Sequence, residues 1–169
     1  MPERVSESSK PGCVPSQTDS AGSVTAAKDA SILSAITEDA ALFEKARLLQ
    51  SRAAEFGFDW PSVEPVFEKL QEEIAELKAE ISQAFQAETP SDEHRRRMQD
   101  ELGDVLFCCV NLARFMRVDA AKALQGTNEK FERRFRFIEL AVHAQGRQLT
   151  AMTLKELDQL WDAAKAEGL

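Results

Sequence analysis

The sequence predicts an all-α fold, a bundle of about five helices, and three observations carry that reading. From about Glu38 onward, apolar residues recur at three- and four-residue spacing, as along one face of a helix. No stretch alternates apolar and polar residues as a half-buried strand would, and β-branched clusters are few. The breaks fall at Gly, Pro, Ser and Asp and are short, which favours antiparallel packing of neighbouring helices.

Taken in order, residues 1–37 are rich in Ser, Ala, Pro, Gly and Thr and contain no aromatic residue. Such composition buries too little surface to offset the entropy of ordering. The expectation is a disordered low-complexity tail over 1–37, with a short helix near 26–36, followed by a helical domain over 38–169. The tail lacks the basic start and continuous apolar run of a signal peptide. No segment is long and apolar enough to span a bilayer.

The first helix is expected to be capped by Thr37 and to run to about Phe56, burying Ala40, Phe43, Leu48 and Ala54, with Gly57 as its stop. Ser62 is the expected cap of the second, with Pro65 in its first turn. There Val66, Leu70, Ile74, Leu77 and Ile81 form an apolar stripe, and Lys69, Glu73, Glu76 and Glu80 run beside it. After a break at Thr89 and Pro90, Ser91 or Asp92 starts a third helix with Met98, Leu102, Val105, Cys109, Leu112 and Met116 on its apolar face. A second stripe on that helix carries Arg97, Glu101, Asp104, Cys108 and Asn111. Gly103 costs about 1 kcal/mol relative to Ala inside a helix, and close approach of the second helix or of a substrate would account for it. Asp119 caps a fourth helix through Leu124, Phe131, Phe135, Ile138 and Val142, ending near Gly146. A fifth covers about 153–165.

The formal charge of −8 opposes binding to a nucleic-acid polymer, which needs a basic footprint. Cys13, Cys108 and Cys109 have no disulfide or zinc spacing, and Cys109 suits a buried small-hydrophobe role. A cytoplasmic location is the matching expectation.

Two carboxylate pairs carry the chemistry. Glu73 with Glu76, and Glu101 with Asp104, stand three residues apart on successive helices, so each pair projects to one side. A solvated acidic face is the plain alternative for either pair. Facing each other, the pairs would repel unless a hard cation joined them. A di-iron bundle would need Glu-x-x-His, yet His94 and His143 are preceded three positions earlier by Ser91 and Leu140. With oxygen donors only, the site points to Mg²⁺, with Mn²⁺ as a possible substitute. Lys130 and Arg134 share a face of the fourth helix with Asn128 and Arg133 nearby; an ammonium and a guanidinium fork there suit phosphate oxygens, although a solvated basic face would read the same.

These residues resemble a known family. Glu72-Glu73-Ile74-Ala75-Glu76 followed by Glu101-Leu102-Gly103-Asp104 is similar to the EExxE and ExxD motifs of MazG-type nucleoside triphosphate pyrophosphohydrolases. The likeness extends through Gly57-Phe58-Asp59-Trp60, Asn111-Leu112-Ala113-Arg114 and the segment from Asn128 to Phe135, covering about 41–169. It is closest to the carboxy-terminal catalytic domain of two-domain MazG proteins. The expectation is that the low-complexity tail stands in place of the amino-terminal companion domain of those proteins. The resemblance implies Mg²⁺-dependent hydrolysis of nucleoside triphosphates at the α–β linkage to NMP and pyrophosphate, by a homodimer or dimer of dimers, with nucleotide-pool housekeeping as the expected role. It further implies Glu73, Glu76, Glu101 and Asp104 as metal ligands, with Glu72 or Glu76 placing or deprotonating the attacking water. Lys69, Arg97, Lys130 and Arg134 would face phosphate, with Asn128 beside them, and Trp161 would lie near the nucleotide, although its neighbours Leu154 and Leu157 also suit a packing role. Other readings are a dUTP, dCTP or phosphoribosyl-ATP pyrophosphohydrolase of the same superfamily, or a non-catalytic, metal-binding helical dimerisation module.

Overall fold

Helix-starting chemistry written into the sequence sets most of the element boundaries. A computed structural model describes residues 31–86 and 91–169, which form five α-helices. These are α1 (Leu42–Ala54), α2 (Glu64–Gln86), α3 (Asp92–Phe115), α4 (Ala120–Ala144) and α5 (Leu154–Ala166), with a single 3₁₀ turn at Leu149–Ala151. Ser91 and Thr153 open α3 and α5 with reciprocal caps, each side chain accepting from the third residue on, His94 or Glu156, whose side chain accepts in return. The Asp119 carboxylate accepts from the Lys122 N–H at 3.1 Å to start α4. Gly57 takes φ +83° just past α1, a left-handed stop that glycine adopts without strain.

The first helix starts later than expected. Thr37 closes only a turn, its carbonyl accepting from the Ala40 N–H at 3.4 Å, and the extended residue Ala41 precedes α1 without a side-chain cap. Residues 32–36 form turns rather than the expected helix. The remainder of the expected tail, with Cys13 in it, and the break at Thr89 and Pro90 lie outside the described residues.

Over 36–169, α2 packs most extensively on α3, α5 on α4, and α1 against α3. Glu80 meets Arg97 while Glu73 meets Glu101 and Asp104, so α2 and α3 run antiparallel. The seam between them overturns part of the expected core. On α3 the buried residues are Cys108, Val110, Leu112 and Ala113, whereas Leu102, Cys109 and Met116 are exposed. About 100° separates successive helical residues, and the polar stripe through Glu101, Asp104 and Cys108 is the one turned toward α2. On α2, Val66, Glu73 and Ala84 are buried while Ile81 is exposed. A Cβ on Gly103 would meet nothing within 4 Å, so close approach of α2 does not explain that glycine. On α4, Ile138 and Val142 are buried as expected, but Leu124, Phe131 and Phe135 are not.

Candidate functional site

Antiparallel packing brings the acidic stripes of α2 and α3 together. Glu73, Glu101 and Asp104 each offer a carboxylate oxygen, and these oxygens lie within 4.8 Å of one another. Glu73 is only 5% exposed, and carboxylates are rarely so buried without a partner. Its partner is Lys69, one turn earlier, whose Nζ stands 2.7 Å from Glu73 and 3.0 Å from Glu72. Those two contacts, Glu73 first, hold the ammonium above its usual pKa.

The remaining charges are imperfectly compensated. Glu76 lies outside the group of three, yet contact with the Glu73 carboxylate raises its pKa, reinforced by burial and by the charge of Glu101. Glu101 is raised chiefly by burial, then by Glu73 and Asp104. Burial, then the charge of Glu73, likewise pushes up the Cys108 thiol beneath the cluster. Carboxylates that resist ionisation because of one another favour a cation among them. The donors are all oxygen and one is deeply buried, which fits a hard divalent ion.

Four of the sequence-selected residues therefore meet here directly: Glu73, Glu101, Asp104 and Lys69, with Glu76 and Glu72 alongside. Arg97 stands on the same seam farther along, donating through Nε to Glu80 at 2.9 Å. Asn128, Lys130 and Arg134 lie on α4 and are not brought to the cluster within one chain. Arg134 donates to the Leu169 carbonyl at 2.7 Å and lies 5.3 Å above the Trp161 ring. Trp161 packs against Phe131, ring centroids 5.4 Å apart.

Sequence reasoning missed a cavity of about 500 Å³ that opens from the cluster between α1, α2 and α3. Glu73, Asp104 and Lys69 form one end, and Leu49, Gln50, Phe58, Trp60, Phe107 and Asn111 line much of the rest. Its rim is clamped by Arg114, which donates from Nη1 and Nη2 to the two Asp59 oxygens at 2.9 and 2.5 Å. Arg114 also donates to Asn111 Oδ1 at 3.0 and 2.8 Å. The segments 57–60 and 111–114 were part of the family likeness, but nothing local to either reveals that they meet. Gln50 carries no sequence signal at all.

Comparison with known proteins converges on the same seam. Residues 62–137, spanning α2 and α3 and entering α4, match the family model described as MazG nucleotide pyrophosphohydrolase domain. The chain is 39% identical over 125 residues to the nucleoside triphosphate pyrophosphohydrolase of Escherichia coli K12, covering 74% of this chain and 45% of that protein. It is 38% identical over 120 residues to the nucleoside triphosphate pyrophosphohydrolase/pyrophosphatase MazG of Thermotoga maritima, covering 71% and 42%. An uncharacterised Bacillus subtilis protein, YabN, is 43% identical over 72 residues, covering 43% and 15%. The chain thus spans less than half the length of the curated relatives it matches.

Proposed function

We propose that this chain, whose residues 62–137 match the MazG nucleotide pyrophosphohydrolase domain, hydrolyses nucleoside triphosphates at the α–β linkage, giving NMP and pyrophosphate. The observation that carries the proposal is the convergence of Glu73, Glu101 and Asp104 across the α2–α3 seam, with Glu73 buried. Those three, with Glu76 beside them, would hold Mg²⁺ or Mn²⁺. Such an ion supplies positive charge for the triphosphate and makes a nearby water easier to deprotonate.

The residues around it have separable tasks. Glu72 and Glu76 are exposed carboxylates next to the cluster, able to orient or deprotonate the attacking water. Contact with the Glu73 carboxylate raises the pKa of Glu76, which suits it to taking a proton from water. Lys69 lines the cavity and would pass from Glu72 and Glu73 to a phosphate oxygen. Arg97 would neutralise phosphate charge from farther along the seam. Asn128, Lys130 and Arg134 would hold the departing pyrophosphate, and Trp161 would sit near the nucleotide. Since one chain does not bring α4 to the cluster, those roles go with assembly of the site from two copies. Phe67, Phe85, Leu106 and Leu140 leave apolar surface on α2, α3 and α4 that a homodimer would cover. Disposal of unwanted nucleotides is the corresponding cellular role, and no helix among the described residues is long and apolar enough to cross a membrane.

Phosphorus NMR of a reaction containing protein, Mg²⁺ and a nucleoside triphosphate tests this. NMP and pyrophosphate should appear together, without orthophosphate until a pyrophosphatase is added. NDP with orthophosphate would overturn the α–β assignment. Metal-dependent assembly without turnover would favour a structural metal site.

A further inference from the structure

Past α5 the chain doubles back through a cap that its sequence dictates. Gly168 takes φ +79°, and the Gly168 and Leu169 N–H groups donate to the Lys165 and Ala164 carbonyls at 3.1 and 3.2 Å. This left-handed closure suits glycine, which has no Cβ to clash with the backbone. It turns the Leu169 carbonyl toward α4, where that oxygen accepts from Arg134 Nε at 2.7 Å. Two turns before the cap, the Trp161 ring lies against the same guanidinium, with Arg134 Cζ 5.3 Å from its centroid. Phe131, stacked on Phe135, braces the ring in turn. A single side chain of α4 is thus held by two separate parts of the α5 segment.

The guanidinium is fixed, yet most of its hydrogen-bonding capacity is unused. Arginine carries five N–H donors, and the one on Nε is taken by Leu169. Those on Nη1 and Nη2 meet no acceptor among the described residues. Arg47, Arg114 and Arg147 by contrast each face a carboxylate. Lys130, one turn before Arg134, also has no carboxylate partner among the described residues, and like charges four apart on a helix repel. With 29 acidic residues to 21 basic ones in the chain, scarcity of carboxylates does not explain the gap. A planar group held at Nε and across a face can offer only its two-nitrogen end, which matches two oxygens of a phosphate. Because the side chain is ordered before a ligand arrives, little entropy is lost in binding one.

Resting on the pyrophosphohydrolase reading, in which Arg134 holds the departing pyrophosphate, we propose that Trp161 and the Gly168–Leu169 cap are positioning residues that aim Arg134 as an end-on fork at a diphosphate group. Trp161 therefore governs phosphate affinity through the guanidinium, and its contribution is the same whether or not the phosphates carry a nucleoside. A base stacked directly on Trp161 is the rival role, but Arg134 and Phe131 already occupy part of that ring's surface.

Inorganic pyrophosphate and α,β-methylene ATP, each titrated calorimetrically with Mg²⁺ present, separate the two roles. Arg134→Gln should weaken pyrophosphate binding by at least about tenfold, since a charge-assisted bidentate contact is lost. Trp161→Leu should weaken both ligands by a similar factor, about fivefold or more, and Trp161→Phe, which keeps a ring face, should regain most of it. Added to Arg134→Gln, Trp161→Leu should cost less than about twofold further, because its effect passes through the missing guanidinium. Losses confined to methylene ATP, or factors that multiply in the double variant, would overturn the positioning role. If Trp161→Leu melts α5, as circular dichroism would show, Gly168→Ala decides instead. A Cβ there meets nothing within 4 Å, so the change acts only through the left-handed backbone. It should weaken pyrophosphate about threefold or more, with Gly168→Asn, which tolerates that conformation, nearer wild type; undiminished affinity in Gly168→Ala would overturn the cap's part. Pyrophosphate binding that depends on Arg134 and Trp161, without turnover of any nucleoside triphosphate, would refute the pyrophosphohydrolase reading and support the fork. Turnover to NMP and pyrophosphate, with pyrophosphate affinity indifferent to Arg134, would refute the fork alone.

Discussion

Arg114 joins two segments 55 residues apart in sequence, and its bond to Asp59 has a measurable worth. Hydrogen bonds to charged groups contribute about 1.5–3 kcal/mol, whereas fully exposed ion pairs contribute about 1 or less. With Asp59 27% and Arg114 16% exposed, and with bidentate geometry, the pair should fall between those cases, at about 1–2.5 kcal/mol. A double-mutant cycle with Asp59→Ala and Arg114→Ala, followed by urea unfolding, isolates that term from the contacts of Arg114 with Asn111 and the Phe115 ring. Asp59→Ala alone should lower the thermal midpoint by roughly 3–12 °C for a folded unit of this size. The contribution should also depend on pH. Arg114 first, then the Trp60 N–H, hold the Asp59 pKa below its usual 3.8, so the stabilisation is complete above that value and fades as pH falls through the lowered one. A coupling energy under about 0.5 kcal/mol at neutral pH would refute the clamp.

Three further outcomes follow from the same geometry. Asp104→Asn should leave the metal-free protein at least as stable while reducing turnover and the rise in melting temperature that Mg²⁺ gives; an undiminished rise would remove Asp104 from the site. Glu156 is held at a pKa of about 2, chiefly by Arg147, so the stability it lends is present above its ordinary 4.5 and lost as pH falls toward 2; melting curves of wild type and Glu156→Gln should converge across that window. Cys109 should be alkylated well before Cys108, which is buried with a raised pKa, as peptide mapping after brief exposure to iodoacetamide would show.

Local chemistry was legible in the sequence, and its long-range arrangement only partly so. Ser91 and Asp119 cap helices because their side chains satisfy backbone groups three residues away, a relation visible in any short window. Thr37 looked equivalent, but a cap residue starts a helix only where the following turn is helical. The i,i+3 carboxylates were legible because helical spacing fixes which residues share a face. Periodicity does not say which of two adjacent stripes turns inward, and the expectation for Cys108 and Cys109 failed for that reason. Gln50, Asp59 and Arg114 acquire meaning from partners 55 or 57 residues distant, which no local pattern encodes.

Lys69 has a consequence in the charge balance of the resting seam. Three carboxylates converge, and one ammonium is tethered to the most buried of them. That single positive charge offsets only part of the negative charge there, to which Glu72 and Glu76 add, so a divalent cation balances the resting seam better than a monovalent one. Replacing Lys69 by an uncharged residue would thus alter the valence the seam calls for, so that trivalent ions such as lanthanides should gain on magnesium in competition.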